Sequence, residues 1–389
     1  MTAPSDPILR APVFRMLGLV LLGLAPGVVA VDSWVGWLDR EQGAREEGLL
    51  AHDEELGWVN RPFFANELTQ TDRLGLRNRP FPEDPPADEA RILGVGASRL
   101  FGAGGATQDI LWNSVLQERY DAEYDGRVRV LNGGVMAYSA VQASRRAIRL
   151  IEQVEPDVVF VLLSPGAQIL LDPSAAKAWL RVGDSLVPTD VAEGWPEFAL
   201  PAVALAHGWL KHSNLYQRHR SKFSIGGERD ARVQRWVISR AERTPRVQAS
   251  LDRTFEELAA LGRIAERAGV EVRVVLLPEH YQATDAAWRG FLEREAPFGA
   301  PPQGTPRSEP IDVLEELLAA IGLETWSLAE EARAMGHDPA RYQMPDDYHW
   351  SAEGHALIAD ALDRELRRER LIEAALAKRA ASPRSPSSP

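Results

Sequence analysis

The chain of 389 residues contains no cysteine, which excludes disulfides and thiolate metal sites. It also has little positive charge: acidic residues outnumber basic ones by 56 to 44, and the net charge is −12. Because nucleic-acid binding requires a basic surface, we expect no nucleic-acid partner. With 45% hydrophobic and 26% charged residues, the composition is that of a globular protein with enough apolar mass for a core.

A charge-free apolar run occupies residues 16–31, with Arg10 and Arg15 before it and acidic residues after it. This asymmetry predicts that the N-terminus stays in the cytoplasm and that the rest of the chain lies outside it. The run is shorter than the about 20 residues of a spanning helix, but the sequence WVGWL (34–38) would extend it and add interfacial tryptophans. We therefore expect a membrane anchor, with signal-peptide cleavage near Ala30 or a buried helix of a soluble domain as alternatives.

Composition divides the chain into segments. Residues 39–52 are polar and helix-prone, like a stalk, and residues 53–90 are rich in Pro, Asp and aromatic residues, which predicts irregular structure. The predicted organisation is a signal-anchor or signal peptide (1–38), a stalk and lead-in (39–90), a main domain (91–380) with an insertion (172–247), and a disordered tail (381–389).

From residue 91 onwards, strand-like and helix-like patterns alternate, and DVVFVLL (157–163) is apolar throughout, as in a parallel strand covered on both faces. The fold class predicted is α/β, a three-layer α/β/α domain with a parallel sheet. We predict strands at 91–95, 128–132, 157–163, 270–278 and 323–328, and helices at 108–120, 139–154, 195–210, 250–269, 284–296, 310–320 and 351–379. Since ligands bind beyond the carboxyl ends of such strands, loops 96–105, 133–138, 164–172 and 278–283 should meet at one rim.

The loop after the first strand, GASRLFG (96–102), does not fit three familiar glycine motifs. A dinucleotide loop would have glycine where Arg99 stands, and the next strand ends in Asn132 rather than in an acid. The lysine of a phosphate-binding P-loop is absent, and Leu100 replaces the second glycine of the α/β-hydrolase elbow. What remains is Ser98 as a candidate nucleophile, or a serine that caps the following turn.

A serine nucleophile needs a base, and one histidine stands in a suitable place. His349 follows Asp346 by three residues just before the closing helix, in the sequence MPDDYHW (344–350). An acid at this spacing can orient the imidazole while the other ring nitrogen takes the serine proton. Asp347 is a rival for the acid, and either aspartate could instead cap the helix.

These blocks together resemble the SGNH (GDSL) hydrolases, in their membrane-anchored bacterial branch. The early serine block matches Ser98, the glycine block after the second strand matches VLNGGVMAYS (130–139) with Gly134, and the D-x-x-H block matches Asp346 and His349. The lead-in sequences ELGWVNRP (55–62) and DRLGLR (72–77) resemble those of membrane-anchored members. The resemblance covers residues 53–370 and implies a flavodoxin-like fold, a Ser98–His349–Asp346 triad and no cofactor or metal.

The chain departs from that family in two places. Ala97 replaces the aspartate of the first block, and the third block, LLSPGAQILLD (162–172), lacks the asparagine that donates to the oxyanion. Gln168 is the nearest amide and is predicted to replace it, beside the backbone N–H groups of Ser98 and Gly134. Arg99 is a candidate for binding an anionic substrate group, with a surface ion pair as the alternative.

Other residues have a structural interpretation beside a functional one. His280 lies at the end of a strand and His355 in the closing helix, and we expect both to be structural. Trp179, Trp195 and Trp209 of the insertion would form either a sugar-stacking lid or part of a core.

The resemblance predicts a serine esterase that acts through an acyl-enzyme on extracytoplasmic esters, such as O-acetylated carbohydrate or lipid. Two other classes fit the same residues: an O-acyltransferase with the same triad, and a binding protein that has lost activity with the missing asparagine. The expected location is the bacterial cell membrane, single-pass, with the catalytic domain periplasmic, or secretion after cleavage.

Overall fold

The computed structural model describes residues 48–78, 86–170, 179–182, 185–188, 238–240, 245–295, 301–344 and 349–382. The chain forms two compact units, residues 1–43 with 180–227 and residues 44–179 with 228–389. The predicted helix at 195–210, most of the insertion, and the N-terminal apolar run lie outside the described residues. So do the predicted tail residues 383–389.

The strands are β1 (Leu50–Asp53), β2 (Gly57–Asn60), β3 (Ala90–Val95), β4 (Val128–Asn132), β5 (Val158–Leu163), β6 (Trp179–Val182), β7 (Ser185–Pro188), β8 (Glu271–Leu276) and β9 (Glu324–Ser327). The helices are α1 (Ser98–Phe101), α2 (Trp112–Tyr124), α3 (Ala140–Val154), α4 (Ala167–Leu170), α5 (Pro245–Ala268), α6 (Asp285–Glu295), α7 (Glu309–Ala320), α8 (Ala329–His337), α9 (Pro339–Tyr342), α10 (Ala352–Arg368) and α11 (Leu371–Ala381). Strands β6 and β7 form a separate two-stranded sheet.

The main sheet has five parallel strands in the order β4-β3-β5-β8-β9. Numbered along the chain within this sheet, the order is 2-1-3-4-5, the flavodoxin-like arrangement. The strand order reverses between β3 and β5, and this switch point is where such sheets bind ligands. The predicted parallel α/β architecture is therefore confirmed.

Helices cover both faces of this sheet. On one face, alternate strand residues such as Ile92, Val158 and Phe160 join α2 and α10 in an extensive hydrophobic cluster. The intervening residues, such as Val159 and Val161, are equally buried and face the other side, where α3 packs against α5. Burial on both faces explains why β5 is apolar at every position.

Several predicted elements are confirmed with small changes of boundary. Helix α3 begins at the predicted cap, where the Ser139 hydroxyl accepts from the Gln142 backbone N–H and the Gln142 side chain reaches back to Ser139. The predicted helix at 108–120 is a 3-10 turn (Gln108–Ile110) followed by α2. Strand β9 and helices α6 and α7 lie where the pattern placed them.

Other predictions were wrong. Residues 50–52 of the predicted helical stalk belong to strand β1 (Leu50–Asp53), which pairs antiparallel with β2 inside the segment predicted to be irregular. The predicted closing helix is two helices, because Arg370 adopts a left-handed conformation (φ 57°) that ends α10. Helices α8 and α9 and strands β6 and β7 were not predicted. Among the described residues, no helix combines the length and the apolar character that a membrane span requires.

Candidate functional site

The four loops predicted to share a rim are linked at the carboxyl edge of the sheet, the last of them, 278–283, through an ion pair of Glu279 with Arg99. The loop after β4 joins the end of β3 through backbone bonds from Gly133 to Gly94 (2.7 Å) and from Val135 to Gly96 (3.0 Å). The loop after β5 joins the β3 loop through Arg99, which donates to the Ser164 hydroxyl at 3.2 Å. These bonds form a continuous rim around the switch point of the sheet.

Ser98 is the first residue of the one-turn helix α1, directly beyond β3. The N-cap position is Ala97, which offers no side-chain cap, so Ser98 is not the capping serine of the alternative interpretation. Its side chain is partly exposed, and neither its hydroxyl nor its backbone N–H makes a hydrogen bond within the described part of the chain. Gly102 ends the turn in a left-handed conformation (φ 89°). The hydroxyl is thus available at the switch point.

Asn132, the last residue of β4, connects the Ser98 turn to the next loop. It is completely buried, and its Nδ2 donates to the Leu100 carbonyl at 2.9 Å. Its Oδ1 accepts the backbone N–H of Gly134 at 3.0 Å. A Cβ at Gly134 would lie 2.5 Å from the Phe101 nitrogen, so only glycine allows this close approach. The predicted oxyanion N–H of Gly134 lies next to the Ser98 helix but is hydrogen-bonded to Asn132.

Ala137 carries an uncommitted backbone N–H in the same loop. Its φ of 59° is left-handed, a conformation that costs an L-residue about 1–2 kcal/mol. The residue is exposed, and its N–H donates no hydrogen bond within the described residues. Non-glycine residues with a strained backbone are found preferentially at functional sites. Nothing in the sequence marks Ala137 as such a position.

Gln168 lies in helix α4, beyond the end of β5. Its Oε1 accepts the Ser164 backbone N–H at 3.0 Å, which fixes the orientation of the amide. The Nε2 group makes no hydrogen bond to any other described residue, so two N–H donors remain for a ligand. This orientation is the one that a replacement oxyanion donor requires.

Arg99 forms an ion pair with Glu279 of the loop after β8, at 2.8 Å, in addition to its bond with Ser164. The two side chains are only 12% and 13% exposed. A Cβ at Gly166 would lie 2.9 Å from Glu279, so this glycine leaves room for the carboxylate. The guanidinium predicted to bind substrate is therefore engaged with a carboxylate, as in the alternative interpretation.

His349 directly precedes Trp350, which forms an antiparallel β-bridge with Gln343. The Met344 N–H donates to the His349 carbonyl at 2.9 Å, and the Nε2 atom of His349 is buried. Trp350 belongs to the same hydrophobic cluster as Leu100 of α1. The neighbours of the predicted base and nucleophile thus share one cluster, and no hydrogen bond joins Ser98 to His349 among the described residues. Asp346 and Asp347 lie outside the described residues.

His355 lies between these two loops. It is completely buried, its Nδ1 accepts the Trp112 N–H at 3.4 Å, and its ring packs edge-on against Trp350 at 5.4 Å. A Cβ at Gly102 would be 3.4 Å from its Cε1. Burial, together with the positive charge of Arg77 and the nearby His349, lowers the pKa of His355 to about 3. Its structural role is as predicted from the sequence.

Arg77 of the lead-in segment was not predicted to contribute. Its buried guanidinium donates to the carbonyls of Gly102 (2.7 Å) and Ala106 (2.5 Å) and stacks 4.6 Å from the centre of the Phe101 ring. It thereby holds the loop that follows Ser98. The sequence signal was the DRLGLR stretch, whose function the residues alone did not reveal.

His280 follows Glu279, the ion-pair partner of Arg99. His280 is exposed and packs edge-on against Tyr281. A cavity of about 450 Å³ lies on the far side of the β8 loop, against Gln282, Arg307 and Arg333. Trp179 is the first residue of β6, and Trp195 and Trp209 lie outside the described residues. Among the described residues, no three His, Asp or Glu side chains are grouped closely enough to hold a metal ion.

No protein-family model and no curated protein matches the chain. Solved structures similar to it include the psychrotrophic esterase EstA from Pseudoalteromonas sp., with a TM-score of 0.39 and 15% identity, covering 72% of this chain and 98% of that one. The α/β hydrolase LAE5 from the metagenome of Lake Arreo has a TM-score of 0.39 and 13% identity, covering 73% and 96%. A lipase/acylhydrolase from Enterococcus faecalis has a TM-score of 0.36 and 17% identity, covering 72% of this chain and 96% of that one. Since these TM-scores lie below 0.5, the architecture rests on the strand order of this chain.

The buried His355 predicts a specific loss of stability in acid. Its pKa is about 3 when folded and 6.5 when exposed, so between these values the unfolded chain binds the extra proton. As the pH is lowered through this window, the free energy of unfolding should therefore decrease, with a contribution from His355 of up to about 1.4 kcal/mol per pH unit. His355→Asn keeps an acceptor but cannot titrate, and urea unfolding from pH 7 to pH 4 should show a flatter curve for it. Parallel curves for the variant and the wild type would contradict a neutral buried imidazole.

Proposed function

We propose that the chain is a serine-dependent ester hydrolase of the SGNH type. One observation carries the proposal: Ser98 presents an uncommitted hydroxyl and N–H at the switch point of a 2-1-3-4-5 parallel sheet. The loops after β4 and β5 end at the same edge of the sheet and carry two groups without acceptors among the described residues, the Ala137 N–H and the Gln168 Nε2. A serine with N–H donors on the neighbouring loops suits acyl transfer, since negative charge develops on the carbonyl oxygen.

In the proposed reaction, Ser98 Oγ attacks the ester carbonyl while His349 takes its proton. The tetrahedral intermediate collapses, the bond to the alcohol breaks, and His349 returns the proton to the departing oxygen. Water then attacks the acyl-serine with the same base, which releases the acid and restores Ser98. Asp346 is proposed to orient the imidazole and to stabilise its charged form.

Three groups are proposed to stabilise the oxyanion. They are the backbone N–H of Ser98, the Nε2 amide of Gln168 and a backbone N–H of the loop after β4. For the last, the exposed N–H of Ala137 is better suited than that of Gly134, which would have to leave Asn132. Gly134 then contributes by allowing the loop to approach α1.

The test is covalent labelling with a fluorophosphonate, followed by intact mass. The wild-type chain should gain one adduct, and Ser98→Ala should gain none. His349→Ala should react at least about a hundredfold more slowly, because the serine loses its base. Ser139→Ala is the matched control, since that hydroxyl caps α3 and is not proposed to react.

A folded wild-type chain that takes no probe would contradict hydrolase activity and would favour the non-catalytic binding protein. An adduct that persists in Ser98→Ala would place the nucleophile elsewhere. If an acyl-enzyme forms from an activated ester but discharges faster to a sugar hydroxyl than to water, the chain is an acyltransferase that uses the same residues.

Gln168 provides a separate prediction. Gln168→Ala removes one proposed oxyanion donor and should lower kcat for a simple aryl ester by about 10²–10³, with KM nearly unchanged. Gln168→Glu keeps the acceptor for the Ser164 N–H and replaces the donor by a negative charge, so it should be at least as slow. Kinetics of both variants at matched thermal stability check this. A change in KM alone would show that Gln168 only binds substrate.

We further propose that the chain is anchored in the bacterial cell membrane by its N-terminal apolar segment and acts on periplasmic esters, such as O-acetyl groups of carbohydrate or lipid. In a bacterial host, the full chain should sediment with the membrane fraction. It should become sensitive to added protease only after the outer membrane is permeabilised. Deletion of residues 1–38 should leave it in the cytoplasmic fraction. Equal fractionation of both forms would contradict the anchor.

A further inference from the structure

Resting on the proposed function, we infer that Trp58 is a positioning residue for the oxyanion site. Its indole N–H holds the Met136 carbonyl and thereby directs the N–H of Ala137 away from the lead-in hairpin and toward the Ser98 turn. Trp58 belongs to β2 in the lead-in hairpin, 78 residues before Met136, and does not itself touch the reacting atoms.

Trp58 grips the loop on both sides of Ala137. Its Nε1 donates to the Met136 carbonyl at 2.9 Å, and its own carbonyl accepts the Tyr138 hydroxyl at 2.6 Å. The two rings also pack edge to face, with centroids 6.0 Å apart. Trp58 and Tyr138 are buried, whereas Ala137 between the two contacts is exposed. Residue 137 is thus displayed between two buried contacts, and only the one to Met136 binds the peptide that carries the Ala137 N–H.

Peptide geometry explains how a bond to one residue orients the next. The peptide between Met136 and Ala137 is planar and trans, so its C=O and N–H point in opposite directions. Once Trp58 binds the carbonyl, the Ala137 N–H must point away from the hairpin. The hydrogen bond also opposes rotation of the peptide, which would relieve the left-handed strain at Ala137 (φ 59°).

The Met136 side chain connects this loop to the region of the Ser98 turn. The Met136 side chain packs on a cluster that contains Phe101 and Ala103, which follow Ser98 within and just after α1. Asn60, two residues after Trp58, donates to the Gly134 carbonyl at 2.9 Å and ties the start of the loop to the same hairpin. Asn60 and Trp58 of the hairpin thus fix the position of the loop after β4, and the bond from Trp58 sets the direction of the Ala137 N–H.

The test separates the indole N–H from the packing of the ring. Trp58→Phe keeps an aromatic ring but loses the donor. Trp58→His loses the six-membered ring but places Nε2–H at the position of the indole N–H. Tyr138→Phe is the matched control, because it removes a hydrogen bond from the same cluster but not the one to the Met136 carbonyl.

Saturation kinetics of fluorophosphonate labelling give a maximal rate and a probe affinity for each variant, beside its melting temperature. We expect Trp58→Phe to lower the maximal rate at least about tenfold, with probe affinity within about twofold, because a misdirected donor acts only on the transition state. Trp58→His should melt lower than Trp58→Phe yet label faster. Tyr138→Phe should melt lower than the wild type but label at the wild-type rate.

Four results would overturn the inference. A wild-type chain without label overturns the proposed function, and the role of Trp58 with it. If the wild type labels and Trp58→Phe labels equally fast, only the positioning role fails. If rates follow melting temperatures across all three variants, Trp58 stabilises the fold and does not position the donor. Should Trp58→Phe not fold, a folded but slow Trp58→His decides against the inference.

Discussion

The side chain of Asn132 is the connection on which the candidate site depends. One buried amide joins the carbonyl at the end of the Ser98 turn to the N–H of Gly134, and its own backbone N–H donates to Asn78. Removing that amide would leave buried polar groups unsatisfied, at about 1–3 kcal/mol each. The loops after β3 and β4 therefore keep one relative position, and this also fixes the position of Ser98 relative to the loop after β4.

The lead-in segment completes this arrangement from outside the sheet. Arg77 binds the loop that follows Ser98, Asn60 binds the loop after β4, and Trp58 binds that loop one turn further along. A parallel sheet alone positions the ends of its strands but leaves the loops beyond them free to move. Here the segment before β3, with its hairpin, supplies such contacts, so it packs on the loops of the candidate site rather than standing apart as a stalk.

The donors around Ser98 follow from how each amide is already used. The N–H of Gly134 is bonded to Asn132, whereas Ala137 and Gln168 have N–H groups without acceptors among the described residues. Arg99, in contrast, is neutralised by Glu279 in a largely buried pair. Breaking such a pair leaves an uncompensated charge, so the groups available on these loops are the uncharged N–H donors of Ala137 and Gln168 and not the Arg99 cation.

The sequence by itself determined the parallel α/β sheet, because strands buried on both faces must be apolar throughout, and it determined the Ser139 cap, because capping is a local contact. It also pointed to Ser98 through the loop that follows β3. Only the tertiary structure decided which amides remain available, because hydrogen bonds such as that from Trp58 to Met136 join residues far apart in the chain. The break of the closing helix at Arg370 and the strain at Ala137 were likewise invisible, since neither residue type signals a left-handed backbone.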